Sequence, residues 1–149
     1  MQIDIISPGK FKENPPYSQV FNYYKKRIKM KINLVETKIY NFEKKKKMLF
    51  EKKSISKYLF NSDLSVVLDR GGKNLSSEEF STFLNDSKRE GKKKISFIIG
   101  SEQGLDESFK KFDTISLGNQ TWPHLLIRVM LIEQIYRAFE ISKGTSYHK

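Results

Sequence analysis

The chain has 149 residues, 28 Lys and Arg against 17 Asp and Glu for a net charge of +11, and no cysteine. At 38% hydrophobic and 13% aromatic it suits one compact domain rather than a disordered chain, while zero cysteines and two histidines (His124, His148) exclude a disulfide framework, a thiolate zinc site and a histidine metal centre, so no metal is expected. No apolar run approaches the ~20 residues that span a bilayer and no charged-then-apolar leader opens the chain, so the expectation is a cytoplasmic protein without membrane attachment.

From the N-terminus, Gln2–Ser7 (QIDIIS) is Ile-rich and closed by Pro8-Gly9, which predicts a buried first strand. Pro15-Pro16 opens a helix, with Tyr17, Phe21, Tyr24 and Ile28 at i, i+4, i+7 and i+11 forming one apolar stripe. Ile32–Lys38 alternates and predicts a second strand. Phe42–Phe60 predicts a strongly basic helix containing Lys44, Lys45, Lys46 and Lys47, with Met48, Ile55 and Leu59 inward. Leu64–Asp69 (LSVVLD) predicts a third strand ended by Gly71-Gly72. Ser76-Ser77-Glu78-Glu79 has the form of a capping box, and the helix after it packs Phe80, Phe83 and Leu84. Ile95–Ile99 (ISFII) is apolar throughout, as a central parallel strand is. A glycine-containing loop, a short helix near Asp106–Lys111 and a fifth strand at Asp113–Leu117 follow. Pro123 then starts the longest helix, read with Leu125, Val129, Ile132, Tyr136 and Phe139 on one face and Gly144 at its end.

Strands alternating with helical patterns predict an α/β fold with a largely parallel sheet and helices on both faces, without a repeat or a second domain. Ligands of such sheets sit at the carboxyl ends of strands, which nominates the loops after Leu68-Asp69, Ile99 and Leu117. The charge is unevenly spread. Residues 1–60 hold 15 Lys and Arg against 5 Asp and Glu, and residues 61–149 hold 13 against 12. That asymmetry points to a polyanion partner, nucleic acid first and an anionic membrane second. Lys outnumbers Arg 23 to 5 and alanine occurs once, at Ala138, a bias that A/T-rich codons also produce, so charge alone does not establish the partner.

The dinucleotide fingerprint G-x-G-x-x-G, the phosphate-binding G-x-x-x-x-G-K-[ST], the G-x-S-x-G elbow and His-Glu-x-x-His are all absent. The glycine loops instead lie in the C-terminal half. Read together, FIIGSEQGL (97–105), SLGNQTWPHLLIRVMLIEQIYRAFEI (116–141) and the terminal YHK (147–149) resemble the RlmH-type SPOUT methyltransferases, which methylate N3 of a pseudouridine in 23S ribosomal RNA. The resemblance extends over essentially the whole chain, including the LDRGGK segment (68–73), and is most specific from Thr121 to Phe139.

This resemblance implies a single domain over residues 1–149, with a basic part at 1–60 and a deep trefoil knot at about 64–149 that breaks the usual rule against threaded loops. It implies S-adenosylmethionine as cofactor, held chiefly by backbone groups at Leu68, Gly100 and the loop Leu117, Gly118, Asn119, Gln120, Thr121 and Trp122. It also implies a homodimer acting on the large subunit or the whole ribosome. The terminal Tyr147-His148-Lys149 matches the family's Tyr-His-basic triplet, so His148, Tyr147 and Arg137 are expected in catalysis, with Arg128, Lys149 and Lys44 to Lys47 on RNA. Glu133 stands four residues before Arg137, the spacing of an ordinary ion pair. The family usually has two adjacent glycines where this chain has Gly100-Ser101, and a positive φ at Ser101 would cost about 1 kcal/mol, so Gly100 alone is kept as a cofactor contact. A non-catalytic RNA- or ribosome-binding protein explains the charge equally well, but leaves the glycine loops and terminal triplet without a reason to occur together.

Overall fold

In the computed structural model, which describes residues 1–11 and 15–149, the five apolar runs form one wholly parallel sheet. The strands are β1 (Gln2–Pro8), β2 (Lys31–Thr37), β3 (Leu64–Asn74), β4 (Lys94–Ile99) and β5 (Asp113–Ser116), in the order β2-β1-β4-β3-β5. The helices are α1 (Pro15–Lys25), α2 (Lys44–Leu59), α3 (Ser77–Arg89) and α4 (His124–Ser142), and a 3-10 turn covers Glu107–Lys111. The ISFII run is indeed the middle strand, β4, covered on both faces.

Because side chains alternate along a strand, each strand feeds two cores. Ile3, Ile5, Val66, Leu68, Ile95, Phe97 and Ile99 join the larger one, with residues of α1, α3 and α4. Ile6, Val67 and Ile98 turn the other way onto Ile55 of α2 and Phe109 of the 3-10 turn. Three helices therefore cover one face and one helix the other. The capping box forms as expected: Glu79 N donates to Ser76 Oγ at 3.1 Å and Ser76 N to the Glu79 carboxylate at 2.7 Å. Ser77 Oγ donates to Gln134 at 2.7 Å and Ser81 Oγ to the Ala138 carbonyl at 3.0 Å, which ties α3 to α4.

Two expectations are corrected. Gly71-Gly72 does not end β3; the strand runs through both to Asn74, with an irregularity in its pairing to β5 between Leu68 and Lys73. The reason is close approach, since a Cβ on Gly72 would lie 2.7 Å from the Ile115 backbone. On α4 the buried face is Arg128, Leu131, Ile132, Ile135 and Ala138 rather than the predicted stripe, of which only Ile132 is fully buried. A helix apolar on nearly every side satisfies several i, i+3, i+4 stripes at once, and periodicity cannot choose among them.

Candidate functional site

The first of the three nominated loops is not a loop: the chain after Leu68 continues as β3, and its irregular middle converges with the second and third, which follow Ile99 and Leu117, on one cleft of about 650 Å³ beside the carboxyl ends of β4 and β5. Leu68, Gly100, Leu117, Gly118, Gln120, Thr121 and Trp122 line it, together with Asp69, Glu102, His124 and Ile127. Asn119 is exposed and outside the lining. The third loop is held by its own polar groups: Trp122 Nε1 donates to the Leu117 carbonyl at 3.2 Å and Ser116 Oγ to the Gly118 carbonyl at 2.8 Å, while Gly118 sits at φ +105°. Arg70 of β3 reaches across to Thr121 Oγ1 at 3.3 Å, joining that strand to the third loop. A Cβ on Gly100 would come within 2.9 Å of Leu105 and 3.2 Å of the Gly104 backbone, so the second loop folds tightly over a bare Cα.

Ser101 answers the family departure. Among the described residues no non-glycine residue has a positive φ, so Ser101 is unstrained. Its hydroxyl donates to Glu51 Oε2 at 2.9 Å. Glu51, on the basic helix α2, is 2% exposed, and burial pushes its carboxyl up, opposed by the Ser101 bond and by Lys47 at 4.0 Å. Lys44, Lys45 and Lys46 are exposed as an RNA-facing group requires, whereas Lys47 leans inward toward Glu51. Lys52 pairs with Asp106 at 3.2 Å, so α2 grips both ends of the second loop. Burial and the nearby Arg128 lower the pKa of His124 at the cleft wall, opposed by Glu102.

The C-terminal triplet lies elsewhere, against α3 and α4. Arg137 donates to Glu133 Oε1 through Nε at 3.0 Å and Nη2 at 2.5 Å, and Tyr147 donates to the same oxygen at 3.0 Å. Tyr147 packs edge-on against Tyr136 with the Arg137 guanidinium over its ring, and burial together with bonds to Tyr24 and Glu133 raises its phenol. His148 Nε2 donates to Glu78 Oε1 at 2.7 Å, and Arg137 Nη1 stands 3.3 Å from His148 Nδ1. Arginine can only donate, so Nδ1 is the acceptor and the proton resides on Nε2. The His148 bond holds the Glu78 carboxyl down at about 2. Lys149 is exposed. None of Arg137, Tyr147 and His148 lines the cleft, and Arg137 lies ten residues, about 15 Å of helix, beyond Ile127.

Arg128 is placed where RNA cannot reach it. It is 0% exposed, donates to the carbonyls of Pro8 and Gly9, pairs with Glu36 at 3.4 Å and lies over the Phe11 ring. The expected RNA contact is thus corrected to a clamp that fixes the end of β1 against α4.

A family model described as "Predicted SPOUT methyltransferase" matches residues 1–148. The chain belongs to the SPOUT methyltransferase family. Within it the chain is of the RlmH type: it is 40% identical over its full length to all of a Clostridium botulinum protein named "Ribosomal RNA large subunit methyltransferase H" and 36% identical over its full length to all of one so named from Carboxydothermus hydrogenoformans. It is also 35% identical over its full length to 99% of the same-named protein of Allorhizobium ampelinum. Among solved structures, a TrmJ structure from Z. mobilis superposes with a TM-score of 0.51 over 99% of this chain and 71% of that one, at 12% identity, and shares the fold.

Two acidic residues of this SPOUT chain escaped the sequence reading. Glu78 carries a helix-start signal, which hid its pairing with His148 seventy residues away. Glu51 is the single acid in the run Lys44–Leu59, four residues after Lys47, and that isolation was the available signal.

Proposed function

We propose that this SPOUT methyltransferase transfers a methyl group from S-adenosylmethionine to N3 of a pseudouridine in 23S ribosomal RNA, on the large subunit or the assembled ribosome, as a cytoplasmic homodimer. The observation that carries the reading is the cleft: the loops after β4 and β5, the latter held by its own hydrogen bonds, and the irregular middle of β3 present backbone groups and two carboxylates around a cavity of about 650 Å³. The cleft fits the cofactor by its chemistry. Gly100 leaves space that a side chain would fill, and Asp69 and Glu102 supply negative charge suited to a sulfonium. Leu68, Gly100, Leu117, Gly118, Gln120, Thr121 and Trp122 would hold it, in one domain whose residues 64–149 form the trefoil knot and whose residues 1–60 supply the basic surface. When bound, S-adenosylmethionine supplies an electrophilic methyl group.

The chain's own task is alignment, exclusion of water and removal of a proton. N3 of pseudouridine is an imide nitrogen, nucleophilic only once its proton has left. His148 carries its proton on Nε2, so Nδ1, once turned from Arg137, accepts the N3 proton, and Glu78 stabilises the imidazolium formed. Arg137 is then free to offset charge on the imide oxygens. The tail does not reach its own cleft, so the partner subunit's tail would complete each site. Leu126 and Met130 of α4, partly exposed and outside both apolar cores, support such pairing.

The test is methyl transfer from labelled cofactor to ribosomes lacking the modification, with the product nucleoside identified. N3-methylpseudouridine is the expected product. Absence of cofactor binding by calorimetry at millimolar concentration would overturn the enzymatic reading and favour a non-catalytic ribosome-binding protein. Deleting Tyr147–Lys149 is expected to abolish transfer while leaving folding and cofactor binding intact; undiminished turnover would remove His148 from its role.

A further inference from the structure

Away from the cleft and the C-terminal cluster, the basic half of the molecule carries a group of rings that serves neither core. Tyr40 and Phe42, between β2 and α2, meet Phe50 of α2 with ring centroids 5.0 to 5.8 Å apart. All three lie outside both apolar cores. Lys46, Phe50 and Lys53 recur at i, i+4 and i+7, one stripe of α2. The lysines cover the rings: Lys46 Nζ lies 4.4 Å from the Phe42 centroid, Lys53 Nζ 5.5 Å from that of Phe50, and Lys38 Nζ 5.5 Å from that of Tyr40. The Tyr40 hydroxyl bonds Ser54 Oγ at 2.9 Å and holds the β2–α2 connection against the helix. Phe42 is nonetheless 37% exposed, with Ile39 at 55% and Leu49 at 43% beside it.

The location gives this surface its meaning. Phe50 precedes Glu51, which receives the Ser101 hydroxyl, and Lys53 follows Lys52, which pairs with Asp106; α2 is therefore fastened to the second loop of the cleft along the same turns that carry the rings. N3 lies on the pairing edge of its base, so the target must be unpaired when it reacts, and its neighbours lose stacking partners as it leaves the helix. Rings flanked by ammonium groups are what an unstacked nucleotide binds: π-faces accept any base, and the lysines meet the phosphates on either side. The charge complementarity is strong, with 15 Lys and Arg against 5 acids in the first 60 residues.

We propose that Tyr40, Phe42 and Phe50 form a stacking site for an unpaired base of the RNA substrate, with Lys38, Lys46 and Lys53 on its phosphates. This rests on RNA being the substrate, as argued above. An interfacial membrane helix is the less favoured occupant, because the outward side of α2 carries Lys44, Lys45, Lys46, Lys53 and Lys57 and lacks a continuous apolar face.

The experiment uses the full-length protein, an eight-nucleotide oligoadenylate and an abasic octamer with the same phosphates. The base-bearing octamer is expected to bind about tenfold more tightly than the abasic one, the size of a single base–aromatic stack. Phe42→Leu should reduce binding to the abasic level, Phe42→Trp should retain it, and Lys46→Gln with Lys53→Gln should weaken both octamers alike. An unchanged Kd for S-adenosylmethionine in Phe42→Leu verifies that it folds. Equal affinity for the two octamers overturns the proposal, as does a Phe42→Leu variant that still prefers the base-bearing one. Phe42-dependent binding to phosphatidylglycerol vesicles without base preference also overturns it and assigns the face to a membrane. Methyl transfer is scored separately, so base-dependent binding by a protein that methylates nothing would support the stacking site while overturning the enzymatic reading.

Discussion

Arg128 brings a guanidinium into a position without solvent, where the carbonyls of Pro8 and Gly9 and the carboxylate of Glu36 surround it. Burial lowers its pKa to about 10, still well above neutral pH, so it remains charged and its partners are required. Arg128→Ala leaves two carbonyls and a carboxylate without their donor and is expected to cost about 3 kcal/mol in urea denaturation; a loss of RNA affinity at unchanged stability would contradict the structural role. The family resemblance implied an RNA contact for Arg128, and nothing in the helical pattern of α4 says which side it faces. Glu78 gives a second check. Its folded pKa, about 2, lies below the ordinary 4.5, so its stabilising bond to His148 is fully present above 4.5 and is lost as pH falls toward 2. Glu78→Gln should remove that portion of the acid-side decline in Tm between pH 4.5 and 2 and leave Tm above pH 6 the less pH-sensitive of the two regions. The His148–Glu78 pair was illegible for a simple reason: a terminal histidine and a first-turn glutamate share no local spacing, and only the packing of the tail on α3 brings them together.

In β3, two adjacent glycines read as a strand terminator because glycine is the common punctuation of turns. They act instead inside the strand. A Cβ at Gly72 would stand 2.7 Å from the backbone of Ile115, whereas one at Gly71 would meet only the Asp69 side chain at 3.2 Å. Gly72→Ala must therefore part β3 from β5 and is expected to destabilise by about 2 kcal/mol or more, while Gly71→Ala, where the neighbour is a rotatable carboxylate, should cost far less; equal Tm values for the two variants would refute the close-approach argument. Elements whose signals are local were read correctly: the capping box at Ser76, the buried Ile-rich first strand, the apolar run of β4. The link from α2 to the second cleft loop was not, because it depends on one acid in a run of lysines. Glu51 has its folded pKa raised, so the folded state holds its proton more tightly than the unfolded chain does, and stability falls as pH rises from the unfolded value through the folded one. Glu51→Gln should flatten that decline and, by keeping an acceptor for the Ser101 hydroxyl, preserve cofactor affinity. Denaturation at several pH values, paired with calorimetry, checks both.

The molecule as a whole separates its two chemical parts. The cleft sits at the strand ends of β4 and β5 beside the middle of β3, and the Glu78–His148–Arg137–Glu133–Tyr147 cluster sits further along α4. The glycine loops and the terminal triplet stood out in the sequence, but their separation did not, since distance across a fold is invisible to motif spacing. A two-fold dimer through α4 repairs the separation if each tail serves the other subunit's cleft, and an isologous interface then contains two such composite sites. Subunit mixing decides the matter. Gly100→Val fills the space over the second loop and is expected to abolish cofactor binding while leaving the tail intact; the chain ending at Ser146 keeps the cleft and lacks the tail. Each should be inactive alone. After exchange at equal concentrations, half the dimers pair one of each, and each such dimer joins one intact cleft to its partner's intact tail, so methyl transfer should return to about a quarter of the wild-type level. Were each tail to serve its own cleft, no combination would hold both parts in one working site, and the mixture would stay silent.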